Sequence, residues 1–162
     1  MMILNFEKID NRSRIWIFQS NRKFKDDEFE HLVTQLNIFL TSWTAHGSKL
    51  NASFKIEYRM FIFIALDQNK SSATGCSIDK LVNFMKNIED QFSLRLLDRL
   101  DIAYMIDDNI YVDRLEEFKN KILLKKIDEN TIVFNNLIEI KSDLSGNWKT
   151  PISNSWHKQL IK

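Results

Sequence analysis

The sequence predicts an α+β fold: a mainly antiparallel sheet of the ferredoxin-like type, with helices packed chiefly on one face. Two observations predict it. Short segments whose apolar residues alternate or run continuously are typical of strands, and the segments between them carry apolar residues at spacings of three and four, which is typical of amphipathic helices. The resulting order is β-α-β-β-α-β-β-α-β, and its first six elements follow the ferredoxin-like pattern.

The first strand and the first helix are predicted from a change in the spacing of apolar residues. Residues 14–18 (RIWIF) form a short β-branched and aromatic run, which is typical of a buried strand. Between residues 29 and 43 the apolar side chains fall on one helical face, and the acids at residues 26–28 lie where the first helical turn carries positive charge. Gly47 suits a left-handed cap after that helix.

The centre of the chain predicts two strands and a second helix. Residues 54–58 alternate between apolar and polar, as a half-solvated strand does, whereas residues 61–66 (FIFIAL) are apolar throughout, as in a central strand covered on both faces. Residues 78–92 again place apolar side chains on one helical face. We expect Ser77 to cap this helix and Asp79 to lie in its first turn.

The second half predicts a hairpin, a third helix and a last strand. Residues 101–106 and 109–112 predict the two strands of a hairpin about a turn at residues 107–108. Asp113 and Glu116 have the spacing of a capping box. Residues 131–134 (TIVF) predict a strand, after which a tail containing two tryptophans follows.

The composition bounds the class of protein. Of 162 residues, 44% are hydrophobic and 28% are charged, which excludes a disordered or fibrous chain. With three glycines and one proline the chain has no glycine-rich loop and no flexible linker. We therefore expect one domain over residues 1–162, in which residues 107–162 extend or cover the sheet.

Several function classes are disfavoured by what the sequence lacks. A formal net charge of +1 gives no global field for nucleic acid or an anionic membrane, and no apolar run approaches the ~18 residues of a membrane span. No Walker A, G-x-G-x-x-G or H-E-x-x-H motif is present. The lone Cys76 excludes an intrachain disulfide and fits a reducing compartment. We expect a cytoplasmic protein with no cofactor and no metal.

The most distinctive local chemistry lies in the loop SSATGCSID, which joins the predicted central strand to the second helix. Amides at a helix N-terminus, together with neighbouring hydroxyls, form an anion site. The same residues also fit a plain helix cap, with the glycine in a turn and the cysteine as a small buried hydrophobe. The predicted ligand-binding residues are Ser71, Ser72, Thr74, Gly75, Cys76, Ser77, Asp79 and His46.

An alternative prediction is a thiol-dependent enzyme. Cys76 lies beside a helix start, which favours its thiolate, and His46 follows the first helix, so the two could form a nucleophile and base pair. Asp67, at the end of the central strand, could orient the base or simply begin a solvated loop. An exposed thiol next to His46 would favour this alternative.

A third prediction is binding of single-stranded RNA or the ribosome through the sheet face. The segments IWIFQSN and RMFIFIAL partly match the paired aromatic motifs of the RNA-recognition fold. Exposed aromatics would favour this function, whereas buried ones would simply belong to the core. The residues concerned are Arg14, Trp16, Arg22, Arg59, Phe61 and Phe63.

The chain resembles a family of short Bacteroidota proteins of about this length. Six segments, distributed over nearly the whole chain, carry the resemblance: SRIWIFQSNRKF, WTAHG, IALD, GCSIDK, TIVFNN and SWH. Members are commonly labelled "ABC transporter ATPase", but this chain lacks the Walker A loop and the LSGGQ-type stretch of such a domain. The resemblance implies no reaction. It groups His46, Asp67, Cys76, Ser77 and Asp79 within shared segments.

Together these observations favour a binding or interaction module over an enzyme. Its expected partner is a small anionic ligand or a protein, and no membrane. The loop at residues 71–79, with His46 and Asp67 nearby, is the expected site.

Overall fold

A computed structural model, which describes residues 5–161, divides the chain into two units. The first contains the described residues up to Leu97 together with Glu139–Ser142, and the second contains Asp98–Ile138 and the described residues from Asp143 onward. Both units combine helices with antiparallel sheets, so the predicted α+β class is confirmed. No helix in the described part of the chain is long and apolar enough to cross a membrane.

The first unit is built on a three-stranded antiparallel sheet with the order β1-β5-β4. Its strands and helices lie close to the positions that the apolar periodicity predicts, and a short hairpin, β2–β3, is added between α1 and β4. The elements are β1 (Arg14–Gln19), α1 (Asp26–Ser42), β2 (Thr44–Ala45), β3 (Ser48–Lys49), β4 (Asn51–Glu57), β5 (Phe61–Asp67) and α2 (Gly75–Phe92).

The core of this unit lies between the sheet and the two helices. Ile62, Ile64 and Leu66 of β5 are fully buried in one cluster with the apolar faces of α1 and α2. The alternate residues Phe61 and Phe63 are also buried, on the other face of the sheet. The prediction that this strand is covered on both faces is therefore confirmed.

The second edge of β1 is covered by a distant part of the chain. Ile15 N donates to Glu139 O at 2.8 Å, and Lys141 N donates to Ser13 O at 2.9 Å. In the predicted ferredoxin-like order, the strand that follows α2 would occupy this edge. The prediction of one continuous sheet is wrong, because that strand has neighbours on both sides in the sheet of the second unit.

The second unit is built on a four-stranded antiparallel sheet with the order β7-β6-β8-β9. Tyr104, Phe118, Val133 and Ile152 are central to its apolar core. The predicted hairpin is confirmed. The elements are β6 (Asp101–Ile106), β7 (Asn109–Arg114), α3 (Leu115–Leu123), β8 (Ile132–Phe134), α4 (Leu144–Asn147) and β9 (Lys149–Pro151).

Three predicted caps differ from the structure. Thr74, not Ser77, is the N-cap of α2, so the helix begins about one turn earlier and Asp79 lies beyond its first turn. Gly47 does not cap α1. It forms the β2–β3 turn with His46, and both have the positive φ (76° and 49°) that a tight hairpin turn requires. Asp113 belongs to β7, so Arg114 is the N-cap of α3.

Candidate functional site

The start of α2 is ordered by a reciprocal pair of hydrogen bonds. Thr74 Oγ1 accepts from Ser77 N at 3.2 Å, and Ser77 Oγ accepts from Thr74 N at 2.7 Å. This is a capping box in which a serine takes the place of the usual glutamate or glutamine. It fixes the end of the SSATGCSID loop against the first helical turn.

A buried tryptophan holds this turn to the core. The Nε1 of Trp43 donates to Ser77 O at 2.8 Å, and Trp43 and Ser77 are both almost completely buried. The indole packs edge-on against Trp16, with 5.8 Å between the ring centroids. The backbone of the first turn is therefore rigidly placed.

Two backbone N–H groups at the start of α2 have no hydrogen-bond acceptor within the described part of the chain. The first residues of a helix have no intrahelical acceptor for their N–H groups. Here the amide of Ser77 is taken by Thr74 Oγ1, and Ile78 N donates to Thr74 O at 2.9 Å. The preceding residues, Gly75 and Cys76, are exposed. Their amides remain available to a ligand at the positive end of the α2 dipole.

The hairpin that carries His46 lies beside the same helix. It begins directly after Trp43, whose side chain bonds the first turn of α2, and β2 packs against α2. His46 is exposed at the tip of this hairpin. Within residues 5–161, neither His46 nor Cys76 makes a side-chain hydrogen bond, so no base activates the thiol in this conformation.

Asp67 is engaged in holding the loop that follows β5. Its Oδ1 accepts from Asn69 N at 3.0 Å, and its Oδ2 accepts from Asn51 Nδ2 at 3.2 Å. The carboxylate therefore orders its own surroundings and is not bonded to an imidazole. Farther along the loop, Ser71 is half-buried and Ser72 is exposed.

The aromatic residues of the predicted RNA-binding face do not share one face. Trp16 pairs with Ile64 in the register and lies on the helix side of the sheet, packed against the core. Phe61 and Phe63 lie on the opposite side and are 0% and 2% exposed. In this conformation neither phenylalanine can stack on a base. Arg14 lies over the Trp16 ring, 4.5 Å from its centroid.

Arg22, one of the predicted basic residues, is occupied within the first unit. It forms two hydrogen bonds with the Glu28 carboxylate, at 2.8 and 2.9 Å, and donates to Phe92 O at the end of α2 at 2.6 Å. The hydrogen bonds from Arg22 lower the pKa of Glu28 to about 2. Arg22 therefore links the end of α2 to Glu28 in the first turn of α1.

Arg59 is likewise engaged. It lies 2.7 Å from Asp26 Oδ1, and its guanidinium is 4.7 Å from the centroid of the Phe29 ring. Two of the three predicted arginines thus form ion pairs inside the unit, which leaves less positive charge for a phosphate backbone.

Sequence reasoning missed a buried polar cluster in the second unit. Tyr104 donates to Asp113 Oδ2 at 2.7 Å and accepts from Lys121 Nζ at 2.9 Å, and the lysine and aspartate are 2.6 Å apart. Burial raises the pKa of Tyr104, and the hydrogen bonds to Asp113 and Tyr104 raise that of Lys121. The three residues lie on β6, β7 and α3, so no sequence spacing reveals them. The three side chains satisfy one another's hydrogen bonds at the margin of the core, where the Lys121 side chain is 30% exposed, which indicates a structural role.

A second missed pair is Ser155 and His157. Ser155 Oγ lies 2.7 Å from His157 Nδ1, and the imidazole stacks on Trp156 at 4.0 Å. Burial lowers the pKa of His157 to about 4. Because both side chains are buried, this serine is not accessible as a nucleophile.

The cavity described in the first unit lies elsewhere. It is an open depression of about 320 Å³ near the end of α2, and none of its lining residues is a predicted site residue. It is lined by Asn21, Glu89, Asp90, Ser93, Leu94 and Arg95. Between Asn5 and Ile161, no group of three or more His, Cys, Asp or Glu side chains is arranged to hold a metal ion.

Comparison of the chain with protein-family models, with curated proteins and with solved structures finds no match.

Proposed function

We propose that the protein is a cytoplasmic binding module and that the start of α2 binds a phosphate, sulfate or carboxylate group of its ligand. The observation that carries this proposal is the pair of open amides at Gly75 and Cys76, on a turn that Thr74, Ser77 and Trp43 hold in place. A preorganised pair of N–H donors binds an anion without a further cost of ordering the loop.

The surroundings supply further donors. Ser72 is exposed just before the turn, and the imidazole of His46 is exposed on the adjoining hairpin. These groups offer hydrogen-bond donors to an anion, while the carboxylate of Asp79, exposed just after the first turn of α2, repels an anion and limits the affinity. A site of this kind recognises one charged group of a larger ligand, and we expect weak affinity for the free ion.

A backbone substitution tests the proposal directly. Gly75→Pro removes the first amide of the helix, whereas Gly75→Ala keeps it. Both fit, because a Cβ at Gly75 meets no atom within 4 Å, and proline is favoured at the first helical position. Thr74 already has the extended backbone (φ −110°, ψ 167°) that a following proline requires.

The measurement is the shift of backbone amide resonances on titration with sodium phosphate at constant ionic strength. We expect the amides of Gly75 and Cys76 to shift in the wild type, and the Ala variant to bind with the same affinity. The Pro variant should lose most of the response of the Cys76 amide. Equal responses of the Pro and Ala variants, or shifts spread evenly over the chain, would contradict the proposal.

The thiol-enzyme alternative is separated by alkylation. If His46 activates Cys76, His46→Ala should slow the reaction of iodoacetamide with the folded protein several-fold at neutral pH. The proposed binding function requires no such change, and an equal rate would remove the enzyme alternative.

A further inference from the structure

The outer edge of β7 is an unpaired strand edge in the second unit. β7 is the terminal strand of its sheet, and among residues 5–161 none forms a hydrogen bond with its outward backbone groups. The outward residues follow from the hairpin. Its closing pair, Ile106 and Asn109, is hydrogen-bonded, so Ile110 and Val112 direct their N–H and C=O groups away from β6.

Two other edge strands carry protections against pairing that β7 lacks. β9 is three residues long and contains Pro151, and β4 contains Lys55, held between Glu7 and Glu57 at 2.9 and 2.8 Å. Proline, lysine and short length are the usual protections of an edge strand. β7 is six residues of regular strand without lysine or proline, and its central Tyr111 is 46% exposed.

We propose that β7 pairs antiparallel with β7 of a second copy of this chain, about a two-fold axis that passes by Tyr111. In this register Ile110 of each copy lies opposite Val112 of the other, and each such pair exchanges two backbone hydrogen bonds. The contact is isologous, since the same strand contributes both sides. It adds a partner to every outward amide of the strand centre.

The charges select the partner and the register. With Tyr111 on the axis, Arg114 at the end of β7 of one copy meets the turn residue Asp108 of the other, and this contact of opposite charges occurs twice. Both residues are exposed, and Arg114 also pairs within its own copy with Asp98 at 2.7 Å and with Asp101 at 2.9 Å. A register centred on Val112 would place Arg114 opposite Ile110 and lose both of these contacts between copies. The strand is thus complementary to itself in one alignment.

The tyrosines meet at the centre of the same alignment. Tyr111 stacks on Tyr104 within its own sheet, with ring centroids 5.7 Å apart, so its ring is preoriented before association. Aromatic residues directly opposite each other across antiparallel strands stabilise the pairing. One strand pair buries far less than the roughly 1,600 Å² of a standard interface, so the dimer is expected to be weak, with a dissociation constant of about 10 µM to 1 mM.

Disulfide trapping tests the register, because Cys76 is the only cysteine. In a Cys76→Ser background, Tyr111→Cys brings two thiols to the axis, where the Cα separation of about 4.5 Å suits a disulfide. Asn109→Cys is the matched control. The two copies of residue 109 lie about 13 Å apart along the strands, which is too far for a disulfide.

With oxidised glutathione as the oxidant, we expect the Tyr111→Cys chain to form a disulfide-linked dimer at least tenfold faster than the Asn109→Cys chain. Equal rates of cross-linking would overturn the proposed register and with it the proposal.

Sedimentation of the unmodified chain tests the dimer itself. We expect the weight-average mass to rise with concentration up to about 1 mM. Val112→Pro removes an outward N–H at an edge that tolerates proline, and Val112→Thr keeps it. The Pro chain should remain monomeric while the Thr chain dimerises like the wild type. A wild-type chain that stays monomeric throughout, or a Pro chain that dimerises equally, would overturn the proposal.

Discussion

Replacing His157 should make the second unit less sensitive to acid. In the folded chain this imidazole is 2% exposed, and burial lowers its pKa to about 4 from the ordinary 6.5. The unfolded chain therefore binds the proton more readily than the folded chain does between pH 6.5 and 4. Stability due to neutral His157 is fully present above pH 6.5 and is lost as the pH falls to 4.

The size of the effect follows from the shift. The pKa of His157 differs by roughly 2.5 between the unfolded and the folded chain, and each pKa unit is worth about 1.36 kcal/mol. Acidification can therefore lower the free energy of unfolding by up to about 3 kcal/mol. His157→Asn removes the titration, and an asparagine amide can still bond to Ser155 Oγ. We expect this variant to be less stable than the wild type at pH 7.5, because it loses the stack on Trp156, but to lose less stability on acidification.

The assay is urea denaturation from pH 7.5 to 4, followed by tryptophan fluorescence and circular dichroism. His31→Gln, at an exposed position of α1, is the control and should keep the wild-type pH dependence. Equal slopes for the wild type and His157→Asn between pH 6.5 and 4 would refute the reasoning. An imidazole resonance of His157 that titrates near pH 6.5 in the folded protein would refute it too.

Two further substitutions test the packing of the first unit. Trp43→Ala should lower the free energy of unfolding by about 3 to 5 kcal/mol, because it leaves a cavity and removes the donor to Ser77 O; an unchanged urea midpoint would show that the ring is not in the core. Lys141→Met should cost about 1 to 3 kcal/mol by the same measurement, because Lys141 Nζ donates to Ile9 O at 2.7 Å and Glu7 O at 3.2 Å. Lys8→Met, at an exposed position, should have almost no effect, and equal losses in the two lysine variants would contradict the assignment.

Periodicity predicts most elements of this chain correctly because each depends on local spacing. The stripe of α1 that contains Leu32, Leu36 and Leu40 is buried as expected, and the continuous run of β5 is covered on both faces. Sheet membership depends on contacts between distant residues, and the sequence of β6 does not show which strands it pairs with. The ferredoxin-like order is therefore not confirmed: the β2–β3 hairpin is added after α1, and β6 pairs within the second sheet.

The candidate site was predictable in part. Its loop stands out by composition. The sequence does not show whether Thr74 or Ser77 is the N-cap, because the two positions differ by one helical turn and both residue types are good caps. The division of Trp16 and Phe63 between opposite faces of the sheet was not predictable, because a strand that is apolar at every position does not reveal its register. The contacts of Lys141 join residues more than 130 positions apart, as its bond to Ile9 shows with a separation of 132.

The pairing of Glu139–Ser142 with β1 also has a consequence for synthesis on the ribosome. The N-terminal unit cannot complete the edge of its sheet until Glu139, which is 139 − 15 = 124 residues after its partner Ile15, has left the exit tunnel. Loops of this length close slowly. Until then Arg14–Gln19 presents an open strand edge that contains RIWIF, and such an edge can pair with another nascent chain. A nascent chain stalled while Glu139–Ser142 is still inside the exit tunnel should therefore aggregate more readily than one stalled after this segment has emerged.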